Sequence, residues 1–296
     1  MYLFKIVLLF IFLINVSVAQ TDSVKCSNTN NRKKIVLITD ASLYTVSYSG
    51  MYFLWYKNND KQKFHLFNDS KEWLQMDKVG HGFSSYYITN IINTELNWAG
   101  YKAKTVNNIS YLSGVLIVST VEVFDGFYKN WGASLSDISA NFIGSTMFFV
   151  QQKFWNEQKI VPKFSFHKTD FSYVRPELLG NNIYQNIFKD YNGQTYWLSV
   201  NINSFLHYDN FPDWLNIAFG YSATGMVGGS DNSIFVRKYP NSLRQREYLM
   251  SLDFDLRKIK TKNKFLKSVF TSFNTLKIPF PTIKYGNSIK FYWLYF

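Results

Sequence analysis

The sequence predicts an α+β protein, in which an N-terminal four-helix bundle carries a buried polar cluster and precedes an aromatic β-rich C-terminal region. Two observations predict this class. The apolar residues recur with a helical period over residues 35–158, and over residues 160–296 the period shifts toward the two-residue alternation of strands. Polar residues also interrupt the helical segments at spacings that place them on common helix faces.

Residues 1–19 have the features of a secretory signal peptide. Lys5 precedes an apolar run, and the small residues Ser17 and Ala19 precede the expected cleavage point. The apolar run is short for a membrane span, although an uncleaved anchor is the alternative. The chain is therefore expected to be exported to a bacterial cell envelope, either to the periplasm or to the outer membrane.

Cys26 is the single cysteine of the chain, so no intrachain disulfide can form. A lipoprotein signal requires a small residue before the modified cysteine, whereas Lys25 stands there. We therefore expect an unpaired thiol and no lipidation at this position.

The composition is basic and rich in aromatic residues. The chain has 32 Lys and Arg against 20 Asp and Glu, a net charge of +12, and the basic residues are densest from Arg257 to Lys267. Export and the lack of an Arg–aromatic motif exclude nucleic acid as the expected partner. Anionic lipid headgroups fit better, with a solvated basic face as the alternative. Aromatic residues make up 19% of the chain, which favours membrane contact over a large aromatic core.

Four helices are predicted in the first region. The second begins with Asp69 or Ser70 as its cap, and the fourth begins with Ser134 or Ser136. Their ranges are 42–56, 69–98, 109–127 and 134–155. None offers the 18 to 20 uninterrupted apolar residues of a lone membrane span, but a bundle with its polar residues inside could still cross a membrane.

Five segments of the second region have the composition and alternation of strands. These are residues 195–206, 213–226, 233–239, 247–256 and 288–296, and a helix-like segment lies at 263–273. Five or six strands are too few for a complete transmembrane barrel, and Phe291 to Phe296 lacks the polar alternation of a barrel lumen.

Seven polar residues form the candidate site, because they lie in pairs on otherwise apolar helices and should converge in the bundle interior. They are Asp77, Lys78, His81, Glu122, Asp125, Asp137 and Asn141.

Two roles for this polar cluster stay open. The cluster could fix helix packing through hydrogen bonds and ion pairs, or His81 could act as a general base oriented by Asp77 or Glu122. One histidine among carboxylates is a poor zinc set, so neither a metal nor another cofactor is predicted.

The motifs around these residues resemble a known family. The motifs are Asp77-Lys78-Val79-Gly80-His81, then Glu122 to Phe127, then Trp131 through Asp137 and Asn141 to Gly144. It is similar to the YfiM-like family of uncharacterised predicted periplasmic lipoproteins, and more remotely to VanZ-type membrane proteins. The resemblance implies an envelope location and a helical architecture, and it implies no established activity.

These observations predict an exported, membrane-associated envelope protein that is not an enzyme and that contacts lipid or has a structural role. Membrane lipid or another envelope protein is the expected partner. One alternative is a lipid- or glycan-directed hydrolase or transferase that uses His81 with Asp77 or Glu122. A second alternative is a subunit of an outer-membrane complex.

Overall fold

The computed structural model describes residues 29–57, 59–232 and 243–296. The predicted signal peptide, Cys26 and the predicted strand at 233–239 lie outside the described residues. The α+β prediction is confirmed, since helices occupy the N-terminal half and an antiparallel sheet the C-terminal half. The described chain forms two compact units. The first comprises residues 29–70 and 81–157, and the second comprises residues 71–80 and 158–296.

Four long helices are present in the N-terminal half. They are α1 (Thr29–Met51), α2 (Met76–Trp98), α3 (Ala103–Asp125) and α4 (Leu135–Trp155). Helix α1 begins at Thr29, well before the predicted start at residue 42. A π-helical turn, Tyr52–Tyr56, continues it at its C-terminal end.

The predicted start of the second helix at Asp69 or Ser70 is wrong. Trp73, Leu74 and Gln75 all have positive φ, in a 3₁₀ turn that ends where α2 begins. Residues with a Cβ pay a steric cost in this left-handed region, and a right-handed helix cannot pass through it. Asp69 instead accepts hydrogen bonds from the hydroxyls of Ser134 (2.5 Å) and Ser136 (2.7 Å).

The start of α4 follows the sequence prediction. Ser134 is the N-cap, and its hydroxyl accepts a hydrogen bond from the backbone N–H of Asp137 at 3.1 Å. This side chain satisfies one of the backbone donors that the first turn of a helix leaves unpaired.

Small residues let α2, α3 and α4 pack closely. The Ser85 hydroxyl lies 2.6 Å from the Asn141 carbonyl and 2.6 Å from the Ser145 hydroxyl, and it is buried. Thr89 adds a further hydroxyl bond to Ser145 at 2.9 Å. Close approach through Gly and Ser, with hydroxyls bridging the helices, is typical of helix packing in membrane proteins.

The second unit contains one six-stranded antiparallel sheet in which each strand pairs with the next along the chain. The strands are β1 (Ile160–Phe166), β2 (Gln194–Asn201), β3 (Leu215–Thr224), β4 (Gln245–Phe254), β5 (Phe280–Tyr285) and β6 (Ile289–Tyr295). Short helices connect them: α5 (Phe171–Val174), α6 (Pro176–Leu179), α7 (Ile183–Lys189), α8 (Asn203–Leu206) and α9 (Lys264–Phe273). The helix-like segment at 263–273 is thus confirmed, with Asn263 as its cap.

Three details of the sheet differ from the sequence prediction. The strands β1 and β5 were not among the predicted segments, and each contains a proline, Pro162 or Pro281. Proline is tolerated because β1 is an edge strand and because the register of β5 is irregular between Phe280 and Thr282. The predicted strand at 195–206 ends at Asn201, and its last residues form α8.

Polarity is distributed unusually across this sheet. One row of directly paired residues crosses five strands on an exposed face, and every member is apolar and 46–55% exposed. The row consists of Leu198, Phe219, Met250, Ile283 and Phe291. Most of the residues that alternate with them are buried, and many of these are polar, among them Ser199, Asn216, Ser251, Asp253 and Thr282. We call the first set the apolar row.

Candidate functional site

His81 lies at the centre of a polar cluster in the helical unit. Its Nδ1 lies 3.1 Å from Oδ1 of Asn141, whose Nδ2 donates to the Ser119 hydroxyl at 3.1 Å. Because the Asn141 oxygen accepts, His81 Nδ1 carries the proton, and the Nε2 of a neutral ring is left as an acceptor. One amide on α4 thereby binds side chains from both α2 and α3.

Two buried carboxyl groups face the other ring nitrogen of His81. Its Nε2 lies 3.7 Å from Glu122 Oε1 and 4.0 Å from Asp137 Oδ2. The imidazole is 17% exposed, whereas the carboxyl groups are 2% and 4% exposed. The predicted site residues His81, Glu122, Asp137 and Asn141 are therefore brought together within the first unit.

The environment of Glu122 favours its protonated form. Burial raises the pKa of Glu122 to about 8, with the charge of Asp137 adding to the rise and His81 opposing it. The other carboxyl oxygen accepts the backbone N–H of Ser134 at 2.9 Å. At neutral pH this carboxyl can hold a proton beside the Nε2 of His81, which is a geometry that supports either proton transfer or a fixed hydrogen-bond network.

Asp125 has a different principal contact. Its carboxylate accepts the hydroxyl of Tyr56, and that ring lies in a buried aromatic cluster with Tyr48, Tyr128 and Phe124. Burial raises the pKa of the Tyr56 hydroxyl, and the nearby Asp125 charge adds to the effect. Asp125 therefore ties the end of α3 to the π-helical turn after α1.

Asp77 and Lys78 belong to the second unit. The Asp77 carboxylate accepts the Tyr191 hydroxyl at 2.8 Å and lies 3.1 Å from Lys78 Nζ. The ring of Tyr191 packs against Trp73 with 5.2 Å between ring centroids. Asp77 and Lys78 lie in the first turn of α2. A carboxylate in the first turn also interacts favourably with the positive end of the helix dipole.

A second buried network, centred on Asp253, was not predicted from the sequence. Lys163 Nζ lies 2.7 Å from Asp253 Oδ2, and both side chains are fully buried. The same oxygen accepts the Ser199 hydroxyl at 2.6 Å, and Lys277 Nζ lies 3.7 Å from the other carboxylate oxygen. Burial lowers the pKa of Lys277 to about 8, although Asp253 opposes this. Buried charges that pair and accept hydrogen bonds in this way are typical of a structural network.

Helix α4 is apolar on its exposed side and mostly small or polar on its buried side. The buried residues of α4 are mostly small or polar: Asp137, Ala140, Asn141, Gly144, Ser145, Phe148 and Gln151. Its exposed residues include Phe142 (53%), Ile143 (68%) and Phe154 (71%). Among the described helices, α3 is the one long and apolar enough to cross a membrane, a test that a core helix of a soluble protein can also pass.

The structure is that of an α+β protein whose helical N-terminal half contains a buried polar cluster. Residues 65–153 match the model of a family described as "Predicted periplasmic lipoprotein (DUF2279)". The match includes α2, α3 and most of α4, and it covers less than half of the chain. It supports the resemblance to an uncharacterised family of periplasmic lipoproteins, and the predicted cell-envelope location is confirmed. No curated protein and no solved structure matches the chain.

Proposed function

We propose that this exported envelope protein is held at a membrane, contacts lipid through apolar faces on both units, and is not an enzyme. The apolar row of the sheet is the observation that carries this proposal. Five paired apolar residues stand roughly half exposed on one face, while the other face buries charged and hydroxyl groups. An apolar patch that crosses five strands is a site of association, and in an envelope the apolar phase at hand is the lipid bilayer.

The helical unit supports the same proposal independently. Helices α3 and α4 bury mostly small and polar residues, such as Ser110, Glu122 and Asn141, and expose Leu, Ile and Phe, which is the reverse of a helix that buries its apolar face in a soluble protein. Polar groups that face inward and bond to one another are the arrangement a bundle needs in an apolar surrounding. The His81–Asn141–Ser119 contacts then act as interhelical hydrogen bonds that fix the packing of α2, α3 and α4.

A basic cleft in the second unit offers positive charge for anionic headgroups. It is lined by Arg257, Lys258, Ile259, Lys260, Thr261, Lys262 and Lys267 and has a volume of about 470 Å³. The neighbouring α9 exposes Phe265 and Phe273. Lysines close to exposed aromatic rings suit the interface between anionic headgroups and acyl chains.

Flotation with liposomes tests the proposal. A variant with Phe219→Ser, Met250→Ser and Ile283→Ser removes the centre of the apolar row. Tyr173→Ser, Tyr184→Ser and Tyr208→Ser form the matched control, because these rings are 62–68% exposed in the same unit but lie off the row. We expect the row variant to leave the liposome fraction, and the control to float like the unmodified protein. Equal flotation of the row variant and the control, with unchanged circular dichroism, would contradict the proposal.

A second candidate function is hydrolysis or group transfer on a lipid or glycan, with His81 as the base and Asp77 or Glu122 orienting it. The observation that favours it is the partly exposed imidazole, whose Nε2 faces Glu122. His81→Ala distinguishes the two roles: loss of folding or of membrane level supports packing, while normal abundance with a lost phenotype supports catalysis. A subunit role in an outer-membrane complex is the third candidate, and a pull-down from detergent extract tests it.

We further infer that the matched segment is YfiM-like, with a remote relation to VanZ-type membrane proteins, and that residues 1–19 act as a cleaved signal peptide. The motif order Asp77-Lys78 to His81, Glu122, and Asp137 to Asn141 supports the inference. N-terminal sequencing of the mature protein tests the cleavage, and cell fractionation with carbonate and detergent washes tests which membrane holds the protein.

A further inference from the structure

An elongated apolar cavity lies between α1 and the α2–α3 pair. Its volume is about 560 Å³, within the range of small-molecule sites. The residues of α1 that line it run from Lys33 to Tyr48, a length of about 22 Å at 1.5 Å per residue. Most of the wall is aliphatic or aromatic, with Ile88, Ile92 and Ile117 facing α1 across the space.

A carboxyl pair interrupts this apolar wall. Asp40 on α1 and Glu95 on α2 both line the cavity, and their side chains are hydrogen-bonded to each other. Glu95 is 5% exposed, and its Oε2 has no hydrogen-bond partner among the residues that the structure describes. A buried carboxyl oxygen without a partner is costly, so it indicates a group that completes the site.

We propose that this cavity binds one chain of a lipid-like amphiphile whose headgroup carries an ammonium group, which donates a hydrogen bond to the Asp40–Glu95 carboxyl pair. The length and apolar wall of the cavity suit an acyl chain, which would cover exposed apolar side chains such as Leu37 and Ile109. The ammonium group supplies the donor that Glu95 Oε2 lacks, and its positive charge suits an acidic pair.

The pair also selects against other headgroups. Burial and the Asp40 charge raise the pKa of Glu95 to about 9, and burial also raises the pKa of Asp40, so Glu95 holds a proton near neutral pH. A carboxylate headgroup would be repelled, and an uncharged headgroup would gain less. Lys33, which also lines the cavity and stacks over Tyr101 at 4.7 Å, is placed to meet the phosphate of a zwitterionic lipid.

This inference deepens the proposed function by naming a lipid class, but it concerns residues other than the apolar row. Native mass spectrometry of the full chain in detergent, titrated with two lysolipids of equal acyl length, tests it. The probes are lysophosphatidylethanolamine, which has an ammonium group, and lysophosphatidylglycerol, which lacks one. We expect the ethanolamine probe to bind with at least tenfold higher affinity.

Two variants separate the headgroup from the chain. Glu95→Gln keeps a hydrogen-bonding side chain but removes the titratable group, and it should reduce the preference between the probes to less than threefold. Ser113→Trp fills the cavity from α3 and should abolish binding of both probes. Absence of binding by the unmodified protein, or equal binding of the two probes, would overturn the assignment. If the cavity assignment fails while liposome flotation through the apolar row persists, the proposed function stands without it.

Discussion

Two glycine substitutions test the close packing that holds the polar cluster together. A Cβ at Gly144 on α4 would lie 2.7 Å from the carbonyl carbon and 2.9 Å from the Cα of Gly82 on α2, and closer still to the Gly82 carbonyl oxygen. These are backbone atoms, so the helices themselves must move apart. At Gly50 on α1 an added Cβ has no neighbour within 4 Å.

The same change should therefore have opposite effects at the two positions. Gly→Ala gains about 1 kcal/mol of helix propensity at either site, whereas overpacking against backbone atoms at Gly144 costs about 3 kcal/mol. We expect Gly50→Ala to raise the free energy of unfolding by about 1 kcal/mol, and Gly144→Ala to lower it by about 2 kcal/mol through separation of α2 from α4.

Denaturant unfolding in mild detergent, followed by the helical circular dichroism signal, measures the free energy of unfolding of each variant. The difference between the two variants is the diagnostic quantity, because it cancels the shared propensity gain. If Gly144→Ala proves as stable as Gly50→Ala, the close approach of α2 and α4 is refuted, and with it the packing that sets Asn141 against His81.

Two further predictions concern the buried charges. Because the pKa of Glu95 is raised to about 9 from 4.5, the folded protein keeps a proton that the unfolded chain releases, so stability should fall as pH rises between these values. Glu95→Gln should reduce this fall, measured as the difference between denaturation midpoints at pH 5 and pH 8. An unchanged difference would count against the burial of this carboxyl. Lys163→Met leaves Asp253 buried without its closest cation and should cost about 3–5 kcal/mol in urea unfolding. Lys290→Met, on an exposed position of the same sheet, should change stability by less than about 0.5 kcal/mol, and similar losses for both would refute the role of the buried pair.

The sequence predicted the helical half because apolar periodicity and local caps determine it. Ser134 caps α4 as its position indicates, and His81 and Asn141 meet because each lies on the polar side of an apolar helix. The start of α2 could not be predicted, since Trp73 to Gln75 adopt a left-handed backbone that their residue types disfavour. Only tertiary contacts, such as the Trp73–Tyr191 packing, hold such a turn.

The sheet was less predictable than the helices. Pro281 in β5 argues against a strand by local rules, and the irregular register around it depends on its neighbours. Lys163 and Asp253 lie 90 positions apart, so their pairing depends on strand register, which the sequence does not display. Charged residues are also expected on protein surfaces, whereas this sheet buries Lys163 and Asp253 on its inward side.

The most direct test of the central claim is the accessibility of a spin label on the apolar row in lipid nanodiscs. With Cys26→Ser as the background, Phe291→Cys places the label on the row, and Asn210→Cys places it on an exposed polar turn. Molecular oxygen concentrates in lipid, while a water-soluble nickel chelate stays outside it. We predict that the label at position 291 collides mainly with oxygen and the label at position 210 mainly with nickel. A label at position 291 that is as accessible to nickel as the one at 210 would contradict lipid contact by the sheet.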